Sequence, residues 1–350
     1  MKQLGYQLLF YWIKIGLHCY YRRIRVKGVE NIPTDAPVLF LSNHQNALLD
    51  ILLIATHNTR KPWYLTRADV FKNKHLKKFF TYLQMMPVYR IRDGKSQLAK
   101  NKAVFAFCGE LLKQDQSILL FPEANHNLKK RVRPLSKGFT RIVDEALHNH
   151  LVKPLYIVPV GQNYVMPTYF VDSCAIEYGA PINVTHHSFF TENGITDLKE
   201  KVSTALKTLT THIADENKYS VVLDYLRKRK VDFLNPSEVN KMVADIGVDD
   251  LNGLNIEAAK SGFGMGRLLL WLFNFPLLLT WRKFIVPKIP EPEFVDTFRF
   301  MYALLFSTLL YLLMFSLFTV IWDGLTALIF ILTHFGLNLF LVKSGCIEKK

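Results

Sequence analysis

The apolar and polar positions of this chain change character twice along its length. Between 38 and 178, short apolar runs, each closed by a polar turn, alternate with segments of helical period. The runs at 38–42, 63–66, 87–91, 117–121, 156–162 and 174–178 read as strands, with helices at 47–56, 96–113 and 137–148 between them. Such alternation predicts an α/β fold, an open sheet with flanking helices, because each parallel crossover supplies a helix that covers a sheet face. From 196 to 217, Leu198, Val202, Leu206, Leu209 and Ile213 recur on one helix face. Helices at 221–229 and 237–245 follow, so 191–264 reads as a helical cover or linker without evident chemistry.

The pattern then turns continuously apolar. Residues 301–322 carry no charge, long enough for a helix to cross about 30 Å of hydrocarbon. A turn at Asp323-Gly324 and a second uncharged run, 325–342, complete a transmembrane hairpin over 298–343. Arg299 and Lys343 flank it and the turn carries no basic residue, which places both flanks in the cytoplasm. A shorter run at 268–280 contains Asn274 and Pro276 and has Arg267 before it and Arg282-Lys283 after it. Cations at both ends predict an interfacial or re-entrant helix over 265–290 rather than a full span through 287. Residues 1–27 begin with Leu4, Leu8, Leu9, Trp12, Ile13 and Leu17 at helical spacing beside Lys2 and Lys14, an interfacial amphipathic helix without a signal-peptide cleavage site. Arg22, Arg23, Arg25 and Lys27 follow, suited to anionic headgroups.

Charge narrows the function classes. Forty-four Lys and Arg against 29 Asp and Glu give a formal +15 on a chain that is 50% apolar. A basic surface suits nucleic acid, anionic lipid or an anionic acyl carrier. The apolar spans favour the lipid, and no nucleic-acid motif is present. Clusters at Lys72, Lys74, Lys77 and Lys78, and at Lys129, Lys130, Arg131 and Arg133, read as solvated faces that also steer anionic substrates. Cys19, Cys108, Cys174 and Cys346 have no paired spacing, which suits a reducing compartment.

Candidate chemistry gathers where apolar runs end. His44 and Asp50 follow the run at 38–42, at the carboxyl end where sites of open α/β sheets cluster. An imidazole has an ordinary pKa of about 6.5, fit for a general base, and a nearby carboxylate orients it. Met86-Pro87-Val88-Tyr89-Arg90 delivers an arginine, Trp63-Tyr64-Leu65-Thr66-Arg67 another, and Phe121-Pro122-Glu123 a carboxylate. Tyr156-Ile157-Val158-Pro159-Val160-Gly161 is a strand broken by proline. His75, His148, His150, His186 and His187 sit among polar residues and read as surface histidines.

In this order the blocks resemble the glycerolipid acyltransferase family, which acylates glycerol phosphate and lysophosphatidate, over roughly 25–184. The resemblance implies His44 as general base, Asp50 as its orienting acid, and direct attack of an alcohol on a thioester without an acyl-enzyme. The absence of a Gly-x-Ser-x-Gly elbow agrees with that. It makes Arg90 and Glu123 acceptor ligands, with Arg67 a second phosphate candidate. Ala124, Asn125 and His126 replace the family's Gly-Thr-Arg, so Asn125 and His126 join the substrate-binding set and Arg131 or Arg133 stands in for the missing arginine. Five residues separate His44 from Asp50 instead of the usual four, which resembles a branch containing eukaryotic glycerol-3-phosphate and dihydroxyacetone phosphate acyltransferases. A metal on His126, His44 and Glu123 finds no support in zinc-type spacing, so no metal is expected. The expected reaction needs no cofactor beyond acyl-CoA or acyl carrier protein as co-substrate. Membrane lipids are the expected partners, with no nucleic acid, at a bacterial inner membrane with the catalytic domain on its cytoplasmic face. The lysophosphatidate-type acceptor competes with glycerol 3-phosphate and a lyso-aminolipid. A non-catalytic lipid scaffold on the same fold would favour a broken His/Asp pair, and here the pair is intact.

Overall fold

A computed structural model describes residues 2–90, 94–149, 151–247 and 264–347. Its centre is an eight-stranded sheet built from β1 (Ile24–Lys27), β2 (Val38–Ser42), β3 (Trp63–Arg67), β4 (Met85–Val88), β5 (Ser117–Leu120), β6 (Leu155–Tyr164), β7 (Cys174–Tyr178) and β8 (Ile182–Val184). The order is β1-β7-β6-β2-β5-β3-β4, with β8 also on β6. From β6 across to β4 every pairing is parallel, while β7 and β8 run antiparallel to β6. Parallel central strands are covered on both faces, which is why β2 reads Val-Leu-Phe-Leu-Ser with every residue buried. Pro159 is tolerated inside β6 because β8 pairs with 155–157 and β7 with 160–164. Its missing N–H therefore faces the gap between two partners.

The helices are α1 (Lys2–Tyr20), α2 (Ala47–Thr56), α3 (Lys74–Tyr82), α4 (Lys95–Leu98), α5 (Asn101–Lys113), α6 (Gly138–His148), α7 (His186–Phe189), α8 (Gly194–Leu209), α9 (Tyr219–Lys228) and α10 (Pro236–Asp245), then α11 (Met265–Thr280), α12 (Val295–Ile321) and α13 (Gly324–Ser344). One sheet face packs on α5, α6 and α8 through residues such as Phe105, Leu112, Phe139, Ile142 and Val202. The other packs on α1 and α2 and, beyond them, on Phe300 and Leu304 of α12. The hydrophobic core is thus continuous from the sheet into the first turns of the apolar C-terminal helices. Gly161 lets α8 end against β6, where a Cβ would sit 2.2 Å from the Leu209 carbonyl.

Several expected boundaries move. The strand expected at 87–91 is β4, which ends at Val88, and Ile91 lies outside the described residues. The helix expected over 96–113 is two pieces, because the buried Asn101 side chain turns to grip the Tyr89 backbone. The helix expected over 196–217 stops at Leu209, and Ile213 joins a separate cluster with Val222, Leu226 and Phe233. β1, β8 and α3 had no clear pattern, being short or charged. β1 takes Arg25 from the expected headgroup patch and pairs it with Asp232 at 2.6 Å. His150 and residues 248–263 of the expected linker lie outside the described residues, while His148, His186 and His187 are exposed.

Among the described residues, three helical segments are long and apolar enough to cross a membrane: Met265–Lys288, Pro292–Ile321 and Gly324–Ser344, with mean hydropathies of 1.3, 2.3 and 2.1. The last two form the expected hairpin, closed by Asp323, whose carboxylate accepts from the Leu325 and Thr326 amides. α11 is longer than the expected 13-residue apolar run and is broken at Asn274, whose φ of −123° and ψ of 21° leave the helical region. Near its start the Arg267 Nε donates to the Ile347 carbonyl, and beyond its end Trp281 packs on Tyr302. Both contacts lie at the sheet-proximal end of the hairpin, while the kinked middle of α11 meets α13 further along, through Phe273 and Asn274 on His334 and Asn338. α1 leaves Leu4, Leu8, Tyr11 and Ile15 exposed along one stripe, as an interfacial helix requires.

Candidate active site

The parallel strands β2, β5, β3 and β4 all end at the same sheet edge. Their order sets His44, Glu123, Arg67 and Arg90 at or just beyond successive strand ends. At about 4.8 Å per strand the row is roughly 14 Å long. Asn43 fixes the end of β2 by bonding both the amide and the carbonyl of Gln162 on β6, at 2.8 and 2.9 Å.

His44 and Asp50 meet despite the longer spacing. The turn between them includes Ala47 at φ 44°, a left-handed residue at the start of α2. His44 Nδ1 lies 2.7 Å from Asp50 Oδ2, which also accepts the Gln45 and Asn46 amides at 2.8 Å each. Asp50 Oδ1 accepts the Tyr164 hydroxyl at 2.6 Å. Burial, and then the charge of Asp50, push the Tyr164 phenol well up, so it stays a donor. The carboxylate is fully buried and carries four hydrogen bonds at a helix N-terminus. Because an ionised carboxylate only accepts, Nδ1 of His44 holds the proton and Nε2 is the basic nitrogen. The imidazole is stacked on Phe121, ring centroids 4.0 Å apart and 16° from parallel, which fixes its plane.

Glu123 is nearly buried and its Oε2 accepts from Arg133 Nε at 3.0 Å. Its Oε1 is buried and has no hydrogen-bond partner among the described residues. Burial raises its pKa above the usual carboxylate value, opposed chiefly by Arg133. Arg133 also donates to the Asn125 carbonyl, so it braces the loop that carries Glu123. Ala124 in this loop has φ 65°, a backbone shape that favours glycine.

Arg67 grips Asp69 with two nitrogens, and the Arg90 guanidinium lies 3.9 Å from the same carboxylate. Burial tends to raise Asp69, but Arg67 and then Arg90 outweigh it and hold the carboxyl below its usual value. Two guanidiniums thus converge beside one carboxylate, and the planar fork of an arginine suits a phosphate. Arg90 follows directly on Tyr89, whose amide and carbonyl are both held by Asn101.

Other sequence candidates lie elsewhere. Arg131 and Lys129 both pair with Glu216, at 2.8 and 3.0 Å, away from Glu123. Lys130 is buried and donates to the Tyr164 carbonyl, so the run 129–133 is not a solvated face. Asn125 contributes its carbonyl to Arg133 while its side chain is exposed. His126 meets His44 edge-on at 5.6 Å and bonds Glu291 at 3.1 Å. Among the described residues its metal-ligating neighbours are Glu291 and Glu293, all within 4.8 Å, rather than His44 and Glu123.

The sequence reading missed a second buried carboxylate. Asp296, in the first turn of α12, accepts from the Tyr20 hydroxyl, from Asn46 Nδ2 at 2.7 Å and from the Tyr21 hydroxyl at 3.3 Å. Arg299 lies 3.4 Å away and also donates to the Thr168 carbonyl. The apolar anchor is therefore tied to the residue between His44 and Asp50 by a polar, wholly buried contact. An Asp and an Arg three apart at the mouth of a long apolar helix was the available signal.

Residues 23–163 match the family model described as Acyltransferase. A chloroplastic 1-acyl-sn-glycerol-3-phosphate acyltransferase from Arabidopsis thaliana is 27% identical over 158 residues, 45% of this chain and 41% of that protein. The mitochondrial glycerol-3-phosphate acyltransferase 1 of Homo sapiens is 24% identical over 141 residues, 37% of this chain and 16% of that one. This chain thus spans less than half the length of these relatives. The crystal structure of the 1-acyl-sn-glycerophosphate (LPA) acyltransferase PlsC from Thermotoga maritima aligns with a TM-score of 0.40 at 18% identity, covering 55% of this chain and 74% of that one. Residues 23–163, which match the Acyltransferase family model, hold the His44–Asp50 pair together with Arg67, Arg90 and Glu123.

Proposed function

We propose that this protein is a membrane-bound O-acyltransferase of phospholipid synthesis, moving a fatty acyl group from a thioester to the hydroxyl of a lysophosphatidate-type acceptor. The observation that carries the reading is the 2.7 Å bond from His44 to a carboxylate immobilised by three further donors. His44 Nε2 takes the hydroxyl proton as the oxygen forms its ester bond to the thioester carbon. Asp50 stabilises the imidazolium, and the proton passes to the departing thiolate as the C–S bond breaks. Glu123, with its unfilled Oε1, accepts a hydrogen bond from a free hydroxyl of the acceptor, and the Arg67–Arg90 pair holds its phosphate. No metal or cofactor enters these steps, and acyl-CoA or acyl carrier protein serves as donor. The anchor favours an acceptor already in the membrane, at a bacterial inner membrane with the sheet on the cytoplasmic face. Glycerol 3-phosphate is the second reading, favoured by the five residues between His44 and Asp50.

The test is acyl transfer in detergent from labelled acyl-CoA, and in parallel acyl carrier protein, to lysophosphatidate and to glycerol 3-phosphate. Product on lysophosphatidate that falls at least about 10²-fold in His44→Ala supports the reading. His44-dependent product on glycerol 3-phosphate alone selects the second reading, and activity that survives His44→Ala removes both.

A further inference from the structure

A cavity of about 400 Å³ lies inside the anchor, and neither His44, Glu123 nor Arg90 lines it. It sits between the kinked helix α11, the hairpin and α1, with Leu270, Leu277, Leu304, Phe335 and Leu339 among its apolar walls. Gly16 lines it on the α1 side, where a Cβ would come 2.5 Å from Leu304, so a larger residue there would close the space. The volume is within the usual range for a ligand site, about 300–1,000 Å³.

Its ends differ in chemistry. At the end nearest the sheet stand Arg299 and Arg282. Arg299 is committed to Asp296 and Thr168, whereas Arg282 is exposed and makes no ion pair among the described residues. Tyr311, also in the wall, lies three turns further along α12, about 18 Å deeper at the helical rise. That depth is close to one leaflet of a hydrocarbon core about 30 Å thick. At the deep end Tyr311 is bonded to His334 at 3.0 Å, and Asn338 is bonded to Asn274 at 2.6 Å. These partners satisfy one another, so the polar groups hold the helices apart around the space and need no polar ligand.

An apolar shaft one leaflet deep, open beneath a cation at the headgroup level, has the dimensions and charge of half a phospholipid. We propose that this cavity binds one acyl chain of an anionic phospholipid from the sheet-side leaflet, with its phosphate on Arg282. The site is separate from the catalytic row, and it reaches the His44–Asp50 turn through Arg299 and Tyr20, which both meet Asp296, and from there through Asn46.

The test uses the full chain in nanodiscs of phosphatidylcholine carrying a trace of tail-diazirine phosphatidate or phosphatidylglycerol, against a tail-diazirine phosphatidylcholine control. Crosslinked peptides are mapped by mass spectrometry. Both anionic probes are expected on 270–278, 303–311 and 335–342 in preference to the outward surface of 312–333. Labelling by phosphatidate alone would restrict the site to the product-like lipid, which overturns the general form of the proposal. Arg282→Gln is expected to lower anionic labelling about fivefold, the worth of one arginine at an anionic surface. Ala303→Trp and Ser307→Trp, two independent fillings of the space, are expected to abolish it. His44→Ala is expected to label like the wild type, so failure of the catalytic reading leaves this result intact. Equal labelling of outward positions, equal labelling by phosphatidylcholine, or persistence in both filled variants overturns the proposal.

Discussion

Two buried carboxylates stand on either side of Asn46, one from the sheet domain and one from the anchor. Asp50 is held by its neighbours in sequence: two backbone amides and the imidazole within six residues, plus Tyr164 from β6. Asp296 has Arg299 one turn on, but its hydroxyl and amide donors come from afar, from Tyr20, Tyr21 and Asn46. Both lose nearly all contact with water and both keep several donors, as a buried charge must. The first arrangement is a local motif that any chain with this turn reproduces. The second exists only because α12 crosses the sheet face beside α1. The contrast teaches that the anchor is more than a tether, since its first turn helps to fix the backbone between base and acid.

The comparison is most easily broken at its two centres. Asp50→Asn is expected to lower kcat roughly 10²–10⁴-fold with the fold retained by circular dichroism, since the imidazole loses the partner that holds its tautomer. Asp296→Asn keeps the shape but places an amide against Asn46 Nδ2 and two tyrosine hydroxyls. It is expected to cost about 1–3 kcal/mol in a denaturant melt and to lower kcat by a smaller factor than Asp50→Asn. An Asp296→Asn protein that melts early yet turns over at the wild-type rate would reduce the contact to simple support.

The acceptor row gives the next effect. Glu123→Gln is expected to raise KM for the acceptor about 5–30-fold, the loss of about 1–2 kcal/mol from one charge-assisted bond, with a smaller change in KM for the donor. Equal changes in both constants would place Glu123 in the frame of the loop. A gain in stability is expected at the strained turn beside it. Ala124→Gly removes a side chain from φ 65° and is expected to stabilise the fold by about 1 kcal/mol, read as a shift in denaturation midpoint.

The smallest effect concerns the seam between α1 and α2. His57 Nε2 lies 3.3 Å from His18 Nε2, and burial first, then the charges of His18 and Lys14, hold His57 down at about 4 against the hydrogen bond to Leu53 that raises it. A folded-state pKa depressed below the unfolded 6.5 gives stability that is present above about 6.5 and is lost as pH falls toward about 4. Thermal melts at pH 7 and pH 5 are expected to differ less in His57→Gln than in the wild type.

What the sequence determined by itself is what short range controls. Continuous apolar runs name the central strands, which are covered on both faces, and period-3.6 patterns name most helices, which bury one face. The His44–Asp50 pair is legible because six residues are enough to close the bond. The uncharged runs announce the hairpin, since the cost of a charge in hydrocarbon leaves a visible mark. Tertiary structure decided the rest. Strand order, set by the crossovers, put Glu123 and both arginines on the edge that His44 occupies. Asn101 and Arg133 became supports, while Arg131 and Lys130 were drawn off to Glu216 and Tyr164. A charged side chain reads alike in sequence whether it faces solvent, a substrate or an opposite charge from across the fold. Only the packing of distant elements, as where Asp296 meets Asn46, chooses among them.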